Sequence, residues 1–234
     1  MADASQGPNY WSVGDTKQVH LSGTTGGVTW DNDYWVYIIG FDHNKDKEGI
    51  GIAFQGFKTA QSGGIDIALV GNTYASTSGG FQMNTSNTSS GGWNGSYAYK
   101  TQCPQIKACL TSDLQAVIRT TMLYTDNVGS GSTSSANVTA NSNEIYYLSE
   151  LEVYSNIAYG NVGEALYQVP YAYYTAGNSK VKYRSDSTGT AAVWWLRSPG
   201  RNYSSAFCAV NTSGSAIGNG RPDAASAVAP AFKV

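Results

Sequence analysis

The sequence is poor in charged residues. Only 13% of its 234 residues are Asp, Glu, Lys or Arg, and the formal net charge at pH 7 is -2. Binding to nucleic-acid phosphates depends on clustered Lys and Arg, which this composition does not supply. We therefore exclude nucleic acid as the main partner.

Histidine is scarcer still, since His20 and His43 are the only two. Neither lies in a pattern with metal-ligand spacing, and no Gly-x-Ser-x-Gly motif marks a nucleophilic serine. Asp42, Asn44 and Asp46 resemble the start of a calcium loop, but Lys47 stands where that loop requires Gly. We expect a solvated hairpin tip there, and we expect no catalytic residues, no metal and no other cofactor.

Cysteine and long apolar runs are also limited. Cys103, Cys109 and Cys208 cannot all pair within one chain, and their spacing fits neither a zinc ribbon nor a redox motif, so we predict buried free thiols. No run approaches the roughly 18 apolar residues that a membrane span needs. Residues 1–5 lack the charged and apolar regions of a signal peptide, so we expect neither membrane insertion nor an export signal of its own.

Aromatic and small residues are abundant instead, with 17 Tyr and 27 Gly. Dense β-branched and aromatic residues predict strands in the first half of the chain. These strands are expected at residues 12–21, 34–39, 49–57 and 65–70. Residues 72–95 are dominated by Ser, Thr, Asn and Gly, which predicts exposed loops.

Two helices have local start signals. Ser112 begins a capping-box pattern followed by apolar residues at helical spacing as far as Met122, and Ser149 with Glu152 begins a second. Residues 126–143 between them are predicted to be a mobile loop or a small hairpin. We read the chain as one α+β domain, residues 1–234, with strands early and late.

The last forty residues carry the most informative pattern. The apolar block 191–199, which includes Trp194 and Trp195, favours burial. Residues 200–227 follow without helical or strand periodicity, and the apolar block 228–232 closes the chain. On composition alone, residues 200–227 are also consistent with an ordinary pair of surface loops.

This pattern resembles known families. Trp194-Trp195-Leu196-Arg197-Ser198-Pro199, with Phe207-Cys208 and the block 228–232, is similar to the C-terminal signature of an uncharacterised domain family of prophages and gut-type bacteria. It also resembles the variable proteins of diversity-generating retroelements, which carry a C-type lectin fold. Further similar segments are residues 10–14, 38–41, 124–129 and 176–180. The resemblance thus implies a C-type-lectin-like fold with mixed or antiparallel sheets.

In those variable proteins a reverse transcriptase rewrites adenines in a C-terminal segment, and Lys, Glu, Gln, Met and Trp cannot arise in this way. These five types make up 32 of the 234 residues, so about four are expected by composition among positions 200–227. None is present there. The resemblance implies that this segment is diversified and binds a ligand. The implied positions are Gly200, Arg201, Tyr203, Ser205, Ala206, Ala209, Ser215, Ile217, Gly218, Gly220, Arg221, Asp223 and Ala225.

Other positions of the segment are expected to be fixed. Phe207, Val210 and Ala216 have the apolar character of scaffold, whereas Asn202, Asn211 and Asn219 are interpreted as unmutated or invariant. A fixed frame of this kind has to tolerate any side chain at the diversified positions. Those side chains are therefore expected to project outward and to contribute little to stability.

The leading hypothesis is a non-enzymatic protein that binds a protein or glycan receptor. The resemblance implies display on a phage tail, virion or bacterial surface, and several copies or an oligomer would raise avidity. Two alternatives stay open. The first is an oxidase that resembles the formylglycine-generating enzymes, with Cys208 in a paired-cysteine copper site. The second is an inert structural module of a fibre.

Overall fold

The N-terminal strands predicted from β-branched and aromatic residues are present in the computed structural model, which describes residues 7–234. The predicted domain begins at residue 1, and the segment 1–5 that lacks a signal peptide pattern lies outside the described residues. Twelve strands run through the described part of the chain. They are β1 (Thr16–Thr25), β2 (Val28–Phe41), β3 (Ile52–Lys58), β4 (Asp66–Ala68), β5 (Thr121–Asp126), β6 (Val138–Asn143), β7 (Lys182–Arg184), β8 (Ser187–Ala192), β9 (Trp194–Pro199), β10 (Phe207–Val210), β11 (Ala216–Gly220) and β12 (Ala231–Lys233).

The largest sheet has the order β1-β2-β3-β4-β7-β8, and the C-terminal strand β12 also pairs with β3. Its pairings are antiparallel except for β4 and β7, which run parallel. The central strand β3 is buried along almost its whole length, as expected for a strand with neighbours on both edges. The last residues of the chain therefore complete the sheet that the first strands begin.

Two smaller β elements lie beside this sheet. Strands β9, β10 and β11 form an antiparallel sheet in the order β11-β10-β9, and β5 pairs with β6 in a hairpin. The first strand of this hairpin begins at Thr121, so residues 126–143 hold its connecting loop and second strand, and the prediction of a small hairpin there is confirmed only in part. The described residues form a mixed α+β structure that is mostly strand, in agreement with the predicted class.

The helices are short. They are α1 (Gly7–Tyr10), α2 (Lys45–Glu48), α3 (Gly92–Gly95), α4 (Cys103–Ala108), α5 (Ser112–Val117), α6 (Glu150–Tyr154) and α7 (Ala172–Thr175), with π-helical residues at Ala98–Gln102 and 3₁₀ turns at Ser135–Asn137 and Val162–Leu166. No helix in the described part of the chain is long and apolar enough to cross a bilayer.

The two predicted helix starts had different outcomes. At Ser149 the capping box is confirmed, because the Ser149 side chain accepts from Glu152 N and the Glu152 side chain accepts from Ser149 N. At α5 the prediction was wrong in two respects. Thr111 is the N-cap, without a side-chain cap, and the helix stops at Val117 rather than continuing to Met122. Backbone pairing of Arg119 with Lys233 draws the chain into β5 instead.

Residues 72–95 contain mostly turns, as predicted, but the expected exposure was wrong for part of the segment. Residues 81–84 are buried, with Phe81 wholly inaccessible. The reason is tertiary, since Phe81 O accepts from Ser226 N and from the indole N–H of Trp195. This segment therefore supports the C-terminal part of the chain.

One connected core holds these elements together. Its buried residues run from Val19 to Phe232 and include Trp93, Trp194 and Trp195. Cys103, Cys109 and Cys208 are all buried and free, which confirms the prediction for the thiols.

Candidate ligand-binding segment and its frame

Strand β9 is the inner support of residues 200–227. All six of its residues are buried. The Trp194 indole N–H donates to Lys180 O at 3.0 Å, so this large side chain is fixed by a hydrogen bond as well as by packing. A bulky aromatic that is both buried and hydrogen-bonded makes a rigid support.

The two ends of the segment lie side by side. Trp195 N donates to Ala227 O at 3.0 Å, and Ala227 N donates to Val193 O at 2.9 Å. After Ala227, Val228 pairs with Leu69 of the large sheet. Residues 200–226 therefore lie between two chain segments that are hydrogen-bonded to each other at Trp195 and Ala227.

A buried ion pair fixes β9 to α6. The guanidinium of Arg197 donates to both carboxylate oxygens of Glu152 at 2.6 Å, and to Thr125 and Tyr147 as well. Both charged side chains are fully buried. Burial alone would raise the pKa of Glu152, but the contact with Arg197 outweighs it and lowers that pKa. The pair is therefore ionised, and its hydrogen bonds are satisfied.

A second carboxylate of α6 organises the loop at residues 158–160. Glu150 accepts backbone hydrogen bonds from Ala158, Tyr159 and Gly160 at 2.7 to 3.2 Å. This loop contacts residues 200–227, because Arg201 N donates to Tyr159 O at 2.7 Å and the Arg201 guanidinium donates to Ala158 O. Glu150 thus positions Tyr159 beside Arg201.

The structure divides the thirteen predicted site residues by exposure. Arg201, Tyr203, Ser205, Ser215, Ile217, Gly220 and Arg221 are exposed or half-buried. Gly200, Ala206, Ala209, Gly218, Asp223 and Ala225 are buried. The expectation that all thirteen side chains project outward is therefore wrong for the second group.

Three glycines of the set have no room for a side chain. A Cβ at Gly218 would lie closer than 3.0 Å to Tyr159, one at Gly220 closer than 3.0 Å to the Trp195 ring, and one at Gly200 2.6 Å from Gly218 O. These positions need close backbone approach, so free variation there would move the supporting frame.

The three buried alanines have no room for larger side chains for another reason. Ala206, Ala209 and Ala225 are at most 2% exposed and lie within the packed interior. A larger side chain would overpack it. Of the predicted scaffold residues, Phe207 and Val210 are buried and Ala216 is half-buried.

Two of the three asparagines that the sequence analysis set apart have structural roles. Asn202 has φ +69°, a left-handed conformation that Asn tolerates better than most residues. The Asn211 side chain accepts hydrogen bonds from Ser213 and Ser215 and so orders the turn 211–215. Asn219 is exposed on β11.

Four of the exposed predicted residues lie at one end of the small sheet. Arg201, Tyr203 and Ser205 belong to the loop before β10, and Arg221 follows β11 where Gly220 pairs with Phe207. We call the side chains of Arg201, Tyr203, Ser205 and Arg221 the display face. Ser215 lies in the turn at the opposite end of β10 and β11, and half-buried Ile217 lies between.

The loops on either side of the display face are held by the 84–89 segment. Ser89 N donates to Ser204 O at 2.9 Å, and Asn84 N donates to Pro222 O at the same distance. Within the face Tyr203 is 54% exposed, while the Arg221 guanidinium is held by Asp223 at 2.6 Å. The face thus offers an exposed aromatic ring and a cation whose orientation is fixed by Asp223.

The sequence analysis missed Tyr159 and Val162 as neighbours of this segment. Tyr159 is 42% exposed and covers Gly218, and Val162 is 50% exposed two residues beyond Gly160, which bridges to Gly200. No sequence signal connects residues 159–162 with residues 200–218. The link comes from the carboxylate of Glu150.

Cys208 is placed differently from a reactive thiol. Its Sγ lies 3.9 Å from Glu150 Oε2, and burial together with nearby carboxylates raises its pKa well above the usual range. A raised pKa opposes thiolate formation, which both nucleophilic attack and metal ligation require. The oxidase alternative therefore gains no support from the environment of this residue.

The hairpin tip at residues 42–48 is not solvated throughout, which corrects the prediction for two residues. His43 and Glu48 are buried, and Lys233 Nζ lies 2.9 Å from Glu48. The His43 ring stacks on Tyr171, and burial lowers the pKa of His43 to about 4. Burial raises the pKa of Glu48 to about 7 although Lys233 acts in the opposite direction.

Among the described residues, His43, Glu48 and Glu152 place ligand atoms within 4.8 Å of one another, a spacing that fits a metal ion. The charges do not favour one. Lys233 and Arg197 already balance the two carboxylates. A divalent cation would leave this buried cluster with a large positive excess. We therefore assign the cluster a structural role in joining β12 and β9 to the core.

The comparisons with known proteins identify one relationship. Residues 74–234 match the model of a family described as Domain of unknown function (DUF6273). This match spans the hairpin β5–β6, strand β9 and residues 200–227. Neither the curated proteins nor the solved structures contain a match to the chain.

Proposed function

The chain belongs to the DUF6273 family, and we propose that it is a non-enzymatic binding protein whose display face contacts a protein or glycan receptor. We include in this proposal a C-type-lectin-like fold and a role of residues 200–227 as a diversified segment on a phage tail or bacterial surface. One observation carries the proposal. The ends of the segment are joined at Trp195 and Ala227, while Arg201, Tyr203 and Arg221 stay accessible.

The energetics of the segment support this function. Substitution of exposed side chains away from special contacts usually changes stability by no more than about 0.5 kcal/mol. The hydrogen-bonded ends at Trp195 and Ala227 and the buried β9 do not use the display face for packing. Arg201 donates to Ala158 O and Arg221 pairs with Asp223, so we expect substitutions at Tyr203 and Ser205 to cost the least stability.

The chemistry of the face also fits recognition. Tyr and Arg are the residue types that most often dominate binding energy, and Tyr203, with neighbouring Tyr159, presents a ring that is part apolar and part polar. Four side chains cover much less than the roughly 800 Å² per partner of a standard interface. We expect weak binding by one copy, raised by avidity when several copies are displayed.

The test is a pair of matched libraries displayed on the full chain. The first randomises Arg201, Tyr203, Ser205 and Arg221, and the second randomises four exposed residues of β8, namely Ser187, Thr188, Gly189 and Thr190. Both are selected against immobilised serum albumin as a fixed target. We expect folded binders from the first library and few or none from the second. Equal yields from the two libraries, or an unfolded majority in the first, would contradict the proposal.

The origin of the segment is tested by the flanking DNA. We expect a near-copy of the coding region for residues 200–227 beside a reverse-transcriptase gene, with differences confined to adenines. A flanking region without such a copy would remove the diversification part of the proposal. The binding part would still be decided by the libraries.

A further inference from the structure

A buried lysine and a half-buried aspartate lie next to each other in the large sheet. Lys182 begins β7 and Asp66 begins β4, and these two strands pair in parallel immediately after them, with Ile67 opposite Tyr183. Lys182 Nζ lies 3.0 Å from both carboxylate oxygens of Asp66. The Lys182 side chain is fully buried, and that of Asp66 is 14% exposed.

Aromatic rings enclose the amine. Lys182 Nζ lies 5.1 Å from the centre of the Tyr37 ring and 5.2 Å from that of Trp194. Removal from water favours the uncharged form of each partner. Burial lowers the pKa of Lys182 and raises the pKa of Asp66, and in each case it outweighs the opposing effect of the partner's charge.

Tyr37 connects the two groups. Lys182 Nζ donates a hydrogen bond to the Tyr37 hydroxyl oxygen, and the Tyr37 hydroxyl donates to Asp66 Oδ2 at 3.2 Å. The chain of donors therefore runs from the amine to a carboxyl oxygen. A proton released by the nitrogen has a direct path to that oxygen.

We propose that Lys182 and Asp66 form an intramolecular isopeptide bond that joins β7 to β4. The uncharged Lys182 nitrogen attacks Cγ of the protonated Asp66 carboxyl group, and the C–N bond forms. Tyr37 accepts a proton from the nitrogen and donates its own to Oδ2, which already carries the carboxyl proton. The C–Oδ2 bond then breaks and releases one water molecule, and Oδ1 stays as the amide oxygen. An amine and a carboxylic acid thus give an amide and water, with no oxidant or second reactant.

Placement explains why condensation prevails over hydrolysis here. Groups held in reactive geometry have effective molarities of about 10⁵–10⁸ M, far above the concentration of water. The partly exposed edge of Asp66 gives the released water a way out. The amide would also link positions 116 residues apart and so restrict the unfolded chain.

The experiment compares intact masses of the wild-type full chain and the Lys182→Arg variant after denaturation, both from the same preparation. We expect the wild type to be lighter than its sequence mass by one water molecule, and the variant to match its sequence mass. The wild-type spectrum decides the question even if the variant folds poorly. A wild-type mass equal to the sequence mass would overturn the proposal.

Tryptic digestion locates the bond. We expect a branched peptide in which residues 59–100 are joined to residues 181–184, because an acylated Lys182 is not a trypsin site. Separate peptides, with cleavage after Lys182, would contradict the proposal. Tyr37→Phe keeps the ring but removes the relay, so its linked fraction should be lower than that of the wild type after equal times. An unchanged rate in Tyr37→Phe would overturn the relay step.

Discussion

Arg197 and Glu152 form a bidentate ion pair from which solvent is excluded, with both N–O distances at 2.6 Å. The pair connects β9, which precedes residues 200–227, to α6, which holds the 158–160 loop through Glu150. The signature of residues 194–199 thus includes a buried charge, Arg197, which faces inward and joins β9 to α6.

The first prediction concerns this pair. Arg197→Met leaves the Glu152 carboxylate buried without a counter-charge, so we expect a loss of about 3–5 kcal/mol in the free energy of unfolding. Denaturation in urea measures it. The control is Arg184→Met, which removes a partly exposed pair with Asp186 and should cost no more than about 1 kcal/mol. Equal effects of the two substitutions would contradict a supporting role for Arg197.

The second prediction concerns the glycine beneath Tyr159. Gly218→Ala brings a Cβ closer than 3.0 Å to the Tyr159 side chain, and overpacking of this kind costs about 1–3 kcal/mol. Gly189→Ala is the control, since no heavy atom lies within 4 Å of its added Cβ. Thermal unfolding compares them. If Gly218→Ala were as stable as Gly189→Ala, Gly218 would rejoin the variable positions.

Local sequence signals predicted several features because neighbouring residues determine them. The β-branched and aromatic residues of 34–39 predict a strand, and the capping box of Ser149 and Glu152 marks the start of α6. The burial of Trp194 and Trp195 follows from their size and apolar character. These features depend on contacts within a few residues or on solvation alone.

Other features could not be predicted because their partners are distant in sequence. Gly200, Gly218 and Gly220 resemble variable small residues by composition. Only the tertiary structure shows that they have no room for a side chain, because Gly218 O lies next to Gly200, Tyr159 next to Gly218 and Trp195 next to Gly220. Likewise a Lys or Glu in a polar segment is usually solvated. Glu48 is buried because Lys233, 185 positions later, reaches it.

The third prediction is a pH dependence. Burial raises the pKa of Glu164 from 4.5 to about 7, so the folded state holds a proton that the unfolded chain has released. The stabilisation is fully present below pH 4.5 and is lost as pH rises through about 7, a change of roughly 3 kcal/mol. Glu164→Gln removes this contribution. Its stability relative to wild type should therefore rise across the window, as measured by urea denaturation at several pH values.

Comparison with the variant isolates Glu164 from other buried groups. Glu48, whose pKa burial raises to about 7, also lowers the free energy of unfolding as pH rises. His43 has the opposite effect, because its pKa is lowered to about 4 and its contribution to stability is lost as pH falls below 6.5. Both contributions are shared by wild type and variant and cancel in the difference. A difference that stays constant from pH 4 to pH 8 would show that folding does not raise the pKa of Glu164.

The fourth prediction separates display from support within one loop. Tyr203→Ala removes a half-exposed ring, so we expect a change of no more than about 0.5 kcal/mol in unfolding free energy. Asn202→Val forces a β-branched residue into a left-handed conformation and should cost about 1–2 kcal/mol, whereas Asn202→Gly should be tolerated. Thermal and urea unfolding measure all three. The two adjacent residues are predicted to differ. A large loss of unfolding free energy in Tyr203→Ala would mean that the display face belongs to the core. An unchanged unfolding free energy in Asn202→Val would mean that the loop backbone is not fixed.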